Sequence, residues 1–105
     1  MPKVSKISLD QDELRRIRDA FLGAIASLRT RGDVEEFLQD FLTPSEWRML
    51  MKRLAIAERL LANDSYDKIR QKLKVSNTTI ARMRNFLTIH GNGLRKMIQK
   101  LQSRS

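Results

Sequence analysis

The chain has 105 residues, with 21 lysines and arginines against 12 acids, a net charge of +9 and no cysteine. One domain is the expectation at that length, and the missing cysteines exclude a disulfide framework, thiol chemistry and cysteine-held zinc. No apolar run nears the roughly 20 residues that cross a bilayer, and the opening MPKVSKISLD lacks a signal peptide's apolar core, so a cytoplasmic protein without membrane or metal partners is expected.

Residues 1–8 read as a flexible lead, 9–102 as one helical domain and 103–105 as a tail. Asp10 with Glu13 has capping-box spacing, and Leu14, Ile17, Phe21, Ile25 and Leu28 come next at steps of three and four along one helix face. Arg31-Gly32 is expected to end that helix, with glycine taking a left-handed cap. Asp33 and Glu36 repeat the capping spacing for a short second helix. It carries Val34, Phe37, Leu38, Phe41 and Leu42, a face dense enough to be shared with another subunit.

Thr43-Pro44-Ser45-Glu46 is the clearest helix start: a threonine cap, proline at the first position and glutamate at the third. The third helix runs to about Ala62 and is apolar nearly all round, through Trp47, Leu50, Met51, Leu54, Ile56, Ala57, Leu60 and Leu61. That marks a central helix. Asn63-Asp64 breaks it. After Thr88, Ile89 to Gly93 form a turn, and a last helix bears Leu94, Met97, Ile98 and Leu101 opposite Arg95, Lys96 and Lys100. Six helices are expected, with no strand pattern and no repeats.

The stretch between, about 65–88, reads as two short helices joined by a tight turn. Ile69 and Leu73 lie on one face, Val75 in the turn, and Ile80, Met83 and Leu87 on the inner side of the second helix. Ser65 and Ser76 stand at N-cap positions. The outer side offers Ser76, Asn77, Thr78, Ala81 and Asn85 as base-reading candidates. Asparagine can bond adenine in two places, and alanine or threonine can touch a thymine methyl. Lys68, Arg70, Lys72, Lys74, Arg82 and Arg84 are the phosphate candidates. This is the arrangement of a helix-turn-helix. The spacing alone equally fits a plain αα-hairpin. Arg70 and Lys74 also stand where a small residue and a glycine are more usual.

Charge separates the two readings. Residues 1–64 carry 11 basic and 11 acidic groups, while 65–105 carry 10 basic groups and one acid, Asp67. The whole positive excess lies on the helix pair and the residues C-terminal to it, so double-stranded DNA is the expected partner. A sequence-indifferent nucleoid-type binder and a protein- or RNA-interaction module remain alternatives. Single-strand stacking lacks exposed aromatics, Tyr66 being the one candidate outside expected core positions. An enzyme is not expected. His90 has no nucleophile to serve, there is no glycine-rich phosphate loop, and no carboxylates pair near the basic region.

With six helices placed, the chain resembles the tryptophan repressor family, closest to its repressor-like bacterial branch. Leu42-Thr43-Pro44, Glu46, Arg53, Glu58, Leu60-Leu61, Ile69, Leu73, Thr79-Ile80, Arg82, Leu87 and Leu94-Arg95 carry the resemblance. It implies an all-α, six-helix, intertwined homodimer with its helix-turn-helix pairs presented to a palindromic operator, acting as a transcriptional repressor. Water-mediated base contacts are implied as well. The family's effector pocket would fall at Thr43, Arg53, Arg82, Met83 and Phe86. Thr43 and Arg53 have plainer roles open to them, as a cap and a surface charge. Met83 and Phe86 replace the pocket's glycine and serine with apolar volume. No cofactor is expected: a small-molecule effector is compatible with the sequence, but tryptophan is not the expected one. A basic residue that reaches the bases in the family falls at Asp67, so no operator sequence carries over.

Overall fold

A computed structural model describes residues 10–103 as six helices, with no strand among them. These are α1 (Gln11–Ala26), α2 (Arg31–Phe41), α3 (Pro44–Leu61), α4 (Tyr66–Leu73), α5 (Asn77–Ile89) and α6 (Asn92–Ser103). The expected lead at 1–8 and the last two residues of the expected tail lie outside the described residues. The chain divides into two compact units, residues 1–41 and 42–105.

In the first unit Asp10 caps α1, its Oδ1 accepting from the Glu13 N–H at 2.8 Å. The helix ends earlier than its apolar seam predicts, at Ala26, where the Ser27 hydroxyl donates to the Ala24 carbonyl at 2.7 Å. Gly32 does not end it. No glycine has a positive φ, and Gly32 lies inside α2. Thr30, not Asp33, starts that helix: its Oγ1 accepts from the Asp33 N–H at 3.0 Å. The Asp33 carboxylate accepts in return from the Thr30 N–H at 3.4 Å. Thr30–Asp33 and Asp33–Glu36 share the same spacing, and the earlier pair forms the cap. The Phe37 and Phe41 rings stack at 5.1 Å, and Phe21 stands 5.7 Å from Phe41. No residue of α1 or α2 is buried.

The second unit is built on α3. Its capping box is complete, with the Thr43 hydroxyl accepting from the Glu46 N–H at 3.1 Å and the Glu46 carboxylate accepting from the Thr43 N–H at 2.8 Å. Those bonds, the backbone one foremost, hold the Glu46 carboxyl below its ordinary range. Of the apolar circumference only Ile56 and Ala57 are buried; Leu50 and Met51 stay exposed. The helix is therefore central on one side only.

Two clusters fill this unit. Ile56 of α3, Ile69 of α4 and Ile80 of α5 meet in one, flanked by Leu60, Tyr66, Leu73, Val75 and Met83. Ala57, Leu87 and Ile98 form the other, and Leu60 and Met83 belong to both. Tyr66, expected outside the core, packs its ring on the first cluster because the α4 face that carries Ile69 also carries the residue three before it.

Two left-handed residues shape the connections, Asn63 at φ 65° and Lys74 at φ 56°. Asn63 breaks α3 as expected. Lys74 takes the position that glycine fills without a Cβ clash, and its N–H donates to the Arg70 carbonyl at 2.9 Å. At the other end of α5, buried Gly91 allows a close approach: a Cβ there would lie 2.9 Å from the Leu87 Cα. The Arg95 guanidinium closes the corner by donating to the Leu87 carbonyl at 2.9 Å.

Opposite signs are expected at these two turns. Lys74→Gly should raise stability by about 1 kcal/mol, relieving the left-handed Cβ clash. Gly91→Ala should lower it by about 1–3 kcal/mol, because backbone must move to admit the methyl. Urea denaturation midpoints read both, and a stabilised alanine variant would contradict the packing at Leu87.

Candidate nucleic-acid interface

Ser65 and Ser76 set the starts of the helix pair. The Ser65 hydroxyl accepts from the Lys68 N–H and the Ser76 hydroxyl from the Thr79 N–H, each at 3.2 Å. Between them, Val75 anchors the turn against the isoleucine cluster. With Ile80 and Leu87 buried and Met83 half-buried, α5 has a fixed inner side. At 100° per residue, Thr78, Ala81, Arg82 and Asn85 then fall on the side away from the core.

The structure places the base-reading candidates accordingly. Asn77, Thr78 and Asn85 are exposed and Ala81 is half-buried. Ser76 is exposed too, but its oxygen serves the cap and also shares a hydrogen bond with the Thr79 hydroxyl at 3.0 Å. Thr79, not among the candidates, is exposed on the same turn. Its place three residues after a capping serine is the sequence signal that points to it.

All six phosphate candidates are exposed, yet they are not equivalent. Lys68 lies 3.9 Å from the Asp64 carboxylate, which also holds Arg59 at 3.0 Å. Arg70 is bound by Asp67. Among the described residues, Lys72, Lys74, Arg82 and Arg84 have no acidic partner. No acid lies on α5. Asn77, Thr78 and Thr79 of its first turn are exposed, and the positive end of a helix dipole favours an anion there.

The five effector-pocket candidates are spread over different environments. Thr43 caps α3, Arg53 is exposed on it, Met83 joins the two clusters and Arg82 faces outward. Phe86 is 47% exposed, its ring 6.0 Å from that of His90. A groove of about 500 Å³ does open beside α5, lined by Leu60, Leu61, Tyr66, Arg84, Thr88 and Arg95 among others, and none of the five lines it. The described residues hold no cluster of groups suited to a metal ion. No described helix is long and apolar enough to cross a membrane.

The fold has a counterpart in a crystal structure of a Staphylococcus aureus protein assigned as a Trp repressor. It superposes with a TM-score of 0.80 at 25% identity, covering 90% of this chain and 96% of that one. No curated protein matches the chain. Residues 17–102 match the family described as Trp repressor protein. That span takes in all of α2 to α5 and most of α1 and α6, including the exposed side of α5 and the four cations, Lys72, Lys74, Arg82 and Arg84, that have no acidic partner among the described residues. The chain therefore belongs to the Trp repressor protein family and is a DNA-binding regulator.

Proposed function

We propose that this chain is a transcriptional repressor that binds a palindromic operator as an intertwined homodimer. The observation that carries the reading is the outward side of α5. It is polar and free of acids, and it is oriented by a buried isoleucine cluster. Asn77, Thr78, Ala81 and Asn85 read base edges, while Lys72, Lys74, Arg82 and Arg84 neutralise phosphates. Two copies would set two such helices in successive major grooves.

Uncovered apolar surface supports the homodimer. Leu14, Ile17, Phe21, Leu22 and Ile25 of α1 and Met49, Leu50 and Met51 of α3 are all exposed in the single chain. So large an apolar surface on so small a protein is unfavourable in water and is covered in the assembled state. In sedimentation equilibrium the protein should run at twice its 12.3 kDa chain mass. Against random duplex, a site selected from a random library should compete with a preference of about a thousandfold or more. Equal affinity for both would replace operator recognition with sequence-indifferent coating, and a monomer would end the two-helix geometry.

Tryptophan is not the effector in this reading. The Met83 side chain fills interior space where the family keeps a glycine, and the Thr43 hydroxyl is engaged at the cap. Calorimetric titration with tryptophan should give no saturable heat in the micromolar range; a micromolar binding curve would reject the assignment.

A further inference from the structure

From residue 65 to the end of the sequence there is one acid, Asp67, among ten cations. It sits in the first turn of α4, and its carboxylate is held by the Arg70 guanidinium one turn on. Both groups are at the surface, with side-chain exposures of 76% for Asp67 and 43% for Arg70. Asp67, Arg70 and Lys74 succeed one another at steps of three and four along the same side of α4. That side leads directly into the turn that delivers Asn77. At 1.5 Å per residue Asp67 lies about 10 Å from Lys74 along the helix, close to one screening length at physiological salt.

We propose that the Asp67 carboxylate is a built-in competitor for DNA phosphate: it occupies Arg70 and so tempers the affinity of the helix pair for duplex. This rests on the DNA-binding reading above and adds a regulating residue to it. The chemistry is that of substitution at a guanidinium. A carboxylate and a phosphate offer the same pair of anionic oxygens to arginine's planar fork. A guanidinium already held by one is not free for the other unless the first bond is given up. An acid in a first turn also interacts favourably with the helix dipole, which accounts for its compatibility with α4. It does not account for the tie to Arg70, while Lys72 and Lys74 have no acidic partner among the described residues. Lys68 is drawn toward Asp64 in the same way, at a longer 3.9 Å. Of the four cations on and just after α4, two are therefore restrained by carboxylates and two have no acidic partner among the described residues.

The test is a double-mutant cycle of Asp67→Asn and Arg70→Gln, read by duplex binding across a salt series. Circular dichroism should show all four proteins folded, since both side chains are exposed. Asp67→Asn alone should bind random duplex about three- to tenfold more tightly at low salt, and its salt slope should steepen by about one unit as Arg70 gains a phosphate. In the Arg70→Gln background the same substitution should leave the slope unchanged. A gain of equal size and slope in both backgrounds would overturn the proposal, showing that the acid acts only through net charge. A loss of affinity on Asp67→Asn would overturn it as well, placing the carboxylate in productive contact with DNA. Absence of duplex binding by the unsubstituted protein at low salt would instead remove the DNA-binding reading itself, and this proposal with it.

Discussion

The meeting of Ile56, Ile69 and Ile80 is the constraint on which the interface depends. All three are at or below 1% exposed, one from each of α3, α4 and α5. Helices of 8 and 13 residues such as α4 and α5 are marginal on their own, so their orientation comes from what they bury. Each isoleucine withdrawn from water contributes about 1.5–3 kcal/mol. Met83 and Leu60 tie this cluster to the Ala57, Leu87 and Ile98 group, so α5 is held along its length. With its inner side fixed, the outer side has no freedom to rotate. Thr78, Ala81, Arg82 and Asn85 face away from the core because Ile80 and Leu87 cannot.

The charges are arranged around that frame rather than spread over the chain. The half before residue 65 is balanced, and the half after it carries the whole excess. Local geometry then sorts the cations. Lys74 is kept in a left-handed conformation that glycine would occupy at lower cost, at the C-terminal end of α4, where the dipole favours a cation. Among the described residues Lys72, Arg82 and Arg84 have no acidic partner, while Lys68 and Arg70 face carboxylates. A polyanion would meet a surface of graded rather than uniform attraction.

The elements legible in the sequence are those fixed by local chemistry. Asp10, Thr43, Ser65 and Ser76 all cap the helices that their spacing announces, and Asn63 breaks α3 as expected; Lys74, a departure from the usual glycine, takes the left-handed conformation all the same. The start of α2 is not legible, because Thr30 and Asp33 offer equivalent capping frames and Gly32 fits a helix interior as well as a cap. What periodicity cannot supply is which apolar face is covered, and by what. The apolar residues from Leu14 to Ile25 form one helix face in the sequence but are exposed in the single chain, and Leu50 and Met51 likewise. Hydrophobicity reports the need for burial without naming the covering chain. Within the candidate interface, the exposed side of α5 is legible from Ile80 and Leu87. The bond between the Ser76 and Thr79 hydroxyls and the ties on Lys68 and Arg70 are not, because spacing allows them but rotamers decide them.

In the proposed complex, the outward side of α5, held by the isoleucine cluster, meets DNA. Amide chemical-shift mapping during titration with selected duplex tests it most directly. The perturbed amides should concentrate in 68–85, largest from Asn77 to Asn85, with Ile56, Ala57 and Ile98 keeping their free-state shifts. Perturbations centred on α6 or α2, with Asn77 to Asn85 unmoved, would contradict it.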